Sequence, residues 1–372
     1  MYQANQMGKF DVMKSEHDDN SITPVCLLTG FLGSGKTTLL NHWLTSENFS
    51  NVAVIVNEFG DIGIDHALIV RSDDRTIELS NGCLCCTVSG DLVNTLRELL
   101  VKRSSGQLKW FDKILIETTG LADPSQLVQV FMTMPVARKY FLSKVITVID
   151  GVQGEDSLTR FPEAVRQLAI ADYVVISKND MQECFGVNLV ARIKEINPGA
   201  KISLSSSADW PTFPDLFEKH MRSFDDPEHI LKWLNAASYE KKSLNLMTQA
   251  EGASEKRYRH SNSLNVRDIH SFSLSFSEAL HWEHVSAWLD ALVIAHAKQL
   301  LRVKGILRIS GCDKPIVFQA VQQLFHPPVE LDSWPINKPF DSRIVFITQG
   351  LTQEYIEEVL SVITSRAASP IN

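Results

Sequence analysis

From Pro24 onward, short β-branched runs alternate with stretches whose apolar positions recur at helical spacing, a pattern that predicts an α/β domain built on a mainly parallel sheet. Five runs are apolar almost throughout: Val25–Thr29, Val52–Val56, Lys113–Ile116, Val145–Ile149 and Tyr173–Ile176. Strands of that composition are buried on both faces, as they are when crossover helices cover each side of a sheet. A further run, Lys201–Leu204, is expected to close it. Helices are expected to open at Lys36, Asp91, Pro124, Pro162, Asn188 and Phe213. Proline suits the first turn of two of them, where its missing N–H has no helical partner to lose.

This pattern places one domain at residues 24–225. Residues 226–265 read as a linker or loop, because Lys, Ser, Glu and Asn dominate from Asn235 on and aliphatic residues are few. Val266–Leu274 then alternates like a half-buried strand, and His281–Gln299 has the period of an amphipathic helix. Strands are expected over Leu300–Ile309, Pro315–Leu324 and Ser342–Thr348, with a closing helix over Gln353–Thr364. The β-α-β-β-β-α order predicts a smaller α+β domain at 266–372 with an antiparallel sheet. Residues 1–23 lack apolar periodicity and are expected to form a disordered tail, in which Met1, Met7 and Met13 are alternative starts.

Composition narrows the partners. The 372 residues are 44 % hydrophobic, enough for two cores, and 44 acidic against 36 basic residues give a formal charge of -8. With no long basic run, neither nucleic acid nor an anionic membrane is an expected partner. No secretory signal or membrane-spanning run is present, so a cytoplasmic, reducing location is expected, where clustered thiols remain available for metal or redox chemistry. Cys26, Cys184 and Cys312 stand alone and read as packing residues. Oligomeric state is left open, a homo-oligomer included.

A phosphate site is written in Gly30-Phe31-Leu32-Gly33-Ser34-Gly35-Lys36-Thr37, which follows an expected strand and opens an expected helix. Glycines let successive N–H groups face the phosphates, Lys36 reaches the β and γ phosphates, and the Thr37 hydroxyl ligates Mg2+. Thr38 follows in the same turn. At the end of the 113–116 strand, Glu117-Thr118-Thr119-Gly120 places a carboxylate for Mg2+, held through water, and a glycine N–H for the γ-phosphate. Ser177-Lys178-Asn179-Asp180 is similar to the Asn-Lys-x-Asp base-specificity motif of GTPases with Ser in place of Asn, a change expected to cost the loop one bracing amide. Asp180 can accept from both N1–H and the exocyclic amine of guanine, whereas adenine would leave that carboxylate unpaired, so guanine is favoured. Ser205-Ser206-Ser207-Ala208 is a candidate to complete the base pocket.

Cys83-Leu84-Cys85-Cys86 holds three of the six cysteines within four residues, just after Asn81-Gly82. Successive residues of an extended chain face opposite ways, so the segment must turn for Cys83, Cys85 and Cys86 to meet one ion, and Gly82 permits that. Thiolates suit Zn2+ and Cu(I), and Co2+ accepts similar tetrahedral sites. Three thiolates leave a fourth position, for which Glu58 in Asn57-Glu58-Phe59-Gly60-Asp61 is the candidate, on an expected switch loop. Thr87 or Ser89 is placed to cap the helix that follows. A redox role for the thiols is the competing reading.

Taken together, Gly30 to Thr38, Asn57-Glu58-Phe59-Gly60, Cys83-x-Cys85-Cys86, Glu117-Thr118-Thr119-Gly120 and Ser177-Lys178-Asn179-Asp180 resemble, in order, the CobW-type GTPase metallochaperones, relatives of UreG and HypB. The resemblance covers residues 24–225 strongly, and the region from Val266 looks like the family's C-terminal domain. It implies a P-loop GTPase that binds GTP, Mg2+ and Zn2+ and delivers the zinc to a client metalloprotein. A cobalt- or iron-handling GTPase for cofactor or metalloenzyme maturation, and a redox-sensing regulatory GTPase, are the alternatives. Two departures stand out: His281, His284 and His296 are scattered rather than clustered in a His-rich tract, and the N-terminal tail lacks a Cys-Pro-x-Leu-Val type of client-docking sequence.

Overall fold

The computed structural model describes residues 22–45, 51–56, 76–78, 88–108, 110–180, 187–205, 217, 227–240, 268–325, 328–334 and 341–367. Its first sheet contains β1 (Thr23–Gly30), β2 (Val52–Val56), β3 (Thr76–Glu78), β4 (Lys113–Glu117), β5 (Tyr140–Asp150), β6 (Tyr173–Ser177) and β7 (Lys201–Leu204). The order is β3-β2-β4-β1-β5-β6-β7, and every pairing is parallel. All six expected strands are present. The additional β3 is three residues long at the sheet edge, too short to carry an alternation of its own.

The helices are α1 (Lys36–Thr45), α2 (Val88–Ser104), α3 (Ser125–Met132), α4 (Gly154–Arg160), α5 (Pro162–Ala169) and α6 (Val187–Ile196). Alternation along β1 divides the core. Val25 and Leu27 pack with Leu92, Leu96, Leu127 and Phe131 of α2 and α3, whereas Cys26 and Leu28 pack with Leu39, Leu40 and Trp43 of α1. Cys26 is fully buried, as its reading as a packing residue expects, and burial pushes its thiol pKa far up. Ser89 does not cap α2, which begins at Val88, because the helix extends one turn earlier than Asp91. Thr87, Cys184 and the expected helix start at Phe213 lie outside the described residues. β5 begins at Tyr140, earlier than the expected Val145, and its register against β1 slips so that Ser143 is an extra residue between Leu142 and Lys144. Such a bulge re-aims neighbouring side chains.

The second sheet contains β8 (Ile269–Phe276), β9 (Leu300–Leu307), β10 (Ile316–Val321), β11 (Leu324–Phe325), β12 (Val329–Glu330) and β13 (Ser342–Gln349). Its order is β11-β10-β9-β13-β8, with β12 beside β10, and it is antiparallel throughout. Two helices, α8 (Trp282–His296) and α9 (Gln353–Ala367), cover one face, where Trp288, Leu292 and Ile356 pack on Phe272, Phe318 and Phe346. His296 is held between Gln299 and the Tyr355 hydroxyl, consistent with a structural histidine.

The other face is not left to solvent. Part of the expected linker folds as α7 (Pro227–Leu234) and a single 3-10 turn (Ala236–Tyr239), and Ile230, Leu234, Ala236 and Tyr239 pack on Leu301, Val317, Val345 and Ile347 together with Ala169 of α5. The polar composition that suggests a linker begins only at Asn235, whereas α7 precedes it and carries Ile230, Leu231, Trp233 and Leu234 within eight residues, an apolar content that matches the sheet face it meets. Residues 241–267 lie outside the described part.

An ion cluster marks the junction. Asp172, just before β6, pairs with Arg302 and Lys304 of β9, and Arg302 also donates to the Ile170 carbonyl. Asp172 accepts the Val145 N–H at 3.0 Å, and Lys304 donates to the Trp233 carbonyl at 3.0 Å while its ammonium lies 4.8 Å from that indole's centre.

Candidate nucleotide and metal site

The carboxyl ends of β1, β4, β5 and β6 converge, the place where parallel α/β sheets bind ligands. Gly30 ends β1, and the loop from Phe31 to Gly35 leads into α1 at Lys36. The loop needs its glycines. A Cβ on Gly30 would stand 2.4 Å from the Val148 carbonyl oxygen of β5, and Gly33 and Gly35 have φ of +70° and +92°, which side-chain-bearing residues rarely adopt. Lys36 is nearly buried with Nζ 3.3 Å from the Phe31 carbonyl, while the side chains of Leu32 and Thr38 face out. Because α1 starts here, its first N–H groups point into the loop and favour an anion.

Thr37 donates its hydroxyl to Glu117 Oε1 at 3.0 Å, so the helix start and the end of β4 are joined by two hard oxygen ligands. That donor pair fits Mg2+. Buried hydroxyls at the same end reinforce the fit to an oxygen-rich ligand: Ser34 Oγ and Thr119 Oγ1 have no hydrogen-bond partner among the described residues. Gly120 lies against the phosphate loop, and a Cβ there would come within 2.7 Å of the Leu32 backbone.

Ser177 has no amide to brace the loop, but its hydroxyl supplies a brace of its own: Oγ donates to the Ser34 carbonyl at 2.6 Å. Gly35 lies beside the same serine, where its φ of +92° and not the space around it calls for glycine. Lys178, with φ of +53°, donates to the Gly33 carbonyl at 2.8 Å and to Asp150 Oδ2 at 2.6 Å, so its stem crosses the loop. Asn179 accepts from Ser205 Oγ at 2.8 Å, and Asp180 is exposed beside them. Ser206 to Ala208 lie outside the described residues. Ser177→Ala is expected to cost about 1 kcal/mol of stability and loosen the phosphate loop, read as a lower melting temperature and a faster nucleotide off-rate.

Two residues that sequence reasoning missed hold this arrangement together. Asp150 ends β5 and anchors Lys178; burial would raise its pKa, but Lys178 and the N–H groups of Val152 and Gln153 outweigh that and hold it below the usual carboxylate value. Its signal was present, since a carboxylate at the end of a buried strand followed by Gly151 sits where ligands collect. Gln167 is a polar residue on the buried face of α5, and its amide donates to the carbonyls of Gly120 and Ala122, both at 3.1 Å. One residue on, Asp123 contacts Arg166 at 3.6 Å and accepts from Gln322 of the second sheet's β10–β11 turn at 3.3 Å. The β4–α3 loop thus touches the phosphate loop at one end and the C-terminal domain at the other.

Cys83, Cys85, Cys86 and Glu58 lie outside the described residues, which place only their flanks: β3 ends at Glu78 and α2 begins at Val88. Among the described residues no group of three or more His, Cys, Asp or Glu is assembled to hold a metal ion. None of the described helices is long and apolar enough to cross a membrane.

Comparison with known proteins agrees with this architecture. Residues 24–203 match the family model described as CobW/HypB/UreG, nucleotide-binding domain, and residues 269–364 match the cobalamin synthesis protein cobW C-terminal domain. The chain is 32% identical over 333 residues to the zinc chaperone YjiA of Escherichia coli, covering 89% of this chain and 96% of that one. It is 28% identical over 365 residues to zinc-regulated GTPase metalloprotein activator 1 of Schizosaccharomyces pombe, covering 92% and 86%. The crystal structure of Zn(II)-bound YjiA GTPase from E. coli superposes with a TM-score of 0.64 at 28% identity, over 92% of this chain and 99% of that one. With its loop, strand ends and second sheet all matched, the chain belongs to the CobW/HypB/UreG family and carries a CobW-type C-terminal domain.

Proposed function

We propose that this protein is a GTP-hydrolysing metallochaperone that takes up Zn2+ at Cys83, Cys85 and Cys86, with Glu58 as fourth ligand, and passes it to a client metalloprotein according to nucleotide state. The observation that carries the nucleotide half is the convergence of Lys36, Thr37, Glu117 and Lys178 on one glycine-built loop. The metal half is supported by the thiolate triplet of the sequence and by relatives named zinc chaperones.

In this reading GTP lies with its phosphates over residues 30–38 and its guanine against Asp180, with the Lys178 stem covering the base. Thr37 and Glu117 hold Mg2+, which when bound neutralises charge on the β and γ phosphates. Lys36 shares that role from the protein side. Water attacks the γ-phosphorus and the bond to the β-γ bridging oxygen breaks, releasing phosphate. Loss of the γ-phosphate frees the Gly120 N–H, and the β4–α3 loop, tied to Gln167 and through Asp123 to Gln322, carries that change outward. Zn2+ is cargo here, released when the switch loop bearing Glu58 moves.

The test is zinc affinity by chelator competition in the GDP-bound and GTP-analogue-bound states. Cys85→Ser with Cys86→Ser is expected to weaken Zn2+ binding by about a hundredfold or more and to remove its dependence on nucleotide, since thiolates supply most of the affinity. Unchanged affinity in that double variant would sink the metal half. Tighter competition by Co2+ than by Zn2+ in the GTP-analogue state would instead favour a cobalt client.

A further inference from the structure

The buried face of α5 is built from Ala164, Val165, Leu168 and Ala169, and one polar residue interrupts it. Gln167 is 1% exposed, and its Oε1 has no hydrogen-bond partner among the described residues. A buried acceptor left unpaired costs stability that a methionine at the same place would not. What offsets that cost lies on the other arm of the amide. Nε2 carries two hydrogens, and two carbonyls of a single turn, those of Gly120 and Ala122, each accept from it at 3.1 Å.

That turn runs from Thr119 to Ala122 and is closed by the Ala122 N–H, which donates to the Thr119 carbonyl at 3.2 Å. Neither central residue has a positive φ, so the turn is of type I. Its own hydrogen bond holds the two outer peptides and leaves the central one, between Gly120 and Leu121, to be oriented from outside. Gln167 does this. In a trans peptide the carbonyl and the N–H point opposite ways, so a Gly120 carbonyl drawn into the core toward α5 turns the Leu121 N–H outward. On that side the Leu121 side chain is 56% exposed, and the Leu32 backbone of the phosphate loop lies against Gly120. Nothing among the described residues accepts from the N–H of Gly120 or of Leu121.

We propose that Gln167 is a positioning residue for GTP hydrolysis: by fixing the Gly120–Leu121 peptide it makes the Leu121 N–H a second backbone donor to the γ-phosphate, beside that of Gly120. This role rests on GTP being the substrate, as proposed above, and names the residue that sets the γ-phosphate contact. Donors already aimed at the transferring group lower the barrier, because they need not reorient as charge develops there. GDP has no γ-phosphate, so the effect of Gln167 is confined to the triphosphate state. The side chain acts through the turn and not on the nucleotide itself.

The experiment measures single-turnover GTP hydrolysis, and the affinities for GDP and for a non-hydrolysable GTP analogue, in the full-length parent and in Gln167→Met, whose side chain is of similar length and has no donor. The rate is expected to fall about tenfold or more and the analogue affinity about fivefold, with GDP affinity unchanged. The melting temperature falls only slightly, since two carbonyls lose a partner while an unpaired acceptor disappears. Gln167→Asn, polar like the parent but one methylene short of the carbonyls, is expected to show the same split, and it carries the test where the methionine variant does not fold. Equal losses for GDP and the analogue, a parental rate in a folded variant, or failure of both variants to fold would assign the glutamine to the core alone and overturn the proposal, while a parent that hydrolyses GTP leaves the GTPase reading standing. A parent that neither hydrolyses GTP nor binds the analogue overturns that reading, and the role of Gln167 with it.

Discussion

Replacing Gly120 by alanine is expected to lower GTP turnover about a hundredfold, with overpacking that costs about 1–3 kcal/mol of stability. The added Cβ would meet the backbone N and Cα of Leu32 at 2.7 Å, closer than real Cβ contacts come. Because two of the three contacts are to Leu32 backbone, turning the leucine side chain away cannot relieve them, and either the β4–α3 loop or the phosphate loop must move. A misplacement on the order of 1 Å at a phosphoryl-transfer site costs about a hundredfold. The loop keeps its ties to Gln167 and Gln322, so the loss in rate is expected to exceed by far what the modest loss of stability would cause. GTP hydrolysis measured beside calorimetric melting decides it, and a variant that turns over GTP at the parental rate removes Gly120 from the γ-phosphate site.

The largest stability effect is expected at Asp172. An Asp172→Ala change leaves Arg302 and Lys304 facing each other in the domain junction without their shared carboxylate, and losing one partner of a buried ion pair costs about 3–5 kcal/mol. Chemical denaturation would show this as a lower midpoint, with the C-terminal sheet released first if the two domains uncouple. A midpoint equal to the parent's would mean that the apolar contact of α7 with β9, β10 and β13 holds the junction alone.

The pH dependence of the junction follows from the same groups. Burial alone would raise the Asp172 pKa, but Arg302, Lys304 and the Val145 N–H outweigh it and hold the carboxyl well below its usual value. As pH falls, the unfolded chain takes up that proton first, so the stabilisation is complete above about pH 4 and is lost below it. Lys304 acts at the other end. Its pKa of about 8 lies under the ordinary lysine value, so between the two the unfolded state binds more protons and stability gains with rising pH. An acid-side loss that persists unchanged in Asp172→Ala would assign it to other carboxylates.

Much of the architecture was legible because its signals are local. The apolar runs at Val25, Val52, Lys113, Val145 and Tyr173 each contain enough β-branched residues to declare a strand buried on both faces, and all five lie side by side or nearly so in the first sheet. The phosphate loop was legible for a similar reason: glycine at positions 30, 33 and 35 answers backbone demands that arise within a few residues. The hydroxyl brace from Ser177 was not legible, because its partner, the Ser34 carbonyl, is brought to it only by the packing of β6 beside β5, which in turn lies beside β1. Asp150 and Gln167 escaped for the same cause, since their roles lie in what they touch across the fold.

By itself, then, the sequence determined the two-domain α/β and α+β architecture, the phosphate loop and the clustering of three cysteines, because hydrophobic period, backbone latitude and residue spacing are properties of neighbouring residues. Only the tertiary structure decided that residues 227–239 seal the second sheet, that Lys178 crosses the loop to Asp150, and that Asp172 meets Arg302 and Lys304 at the junction. Those two cations stand 130 and 132 positions from the carboxylate, and charges so distant along the chain meet only when the sheets pack.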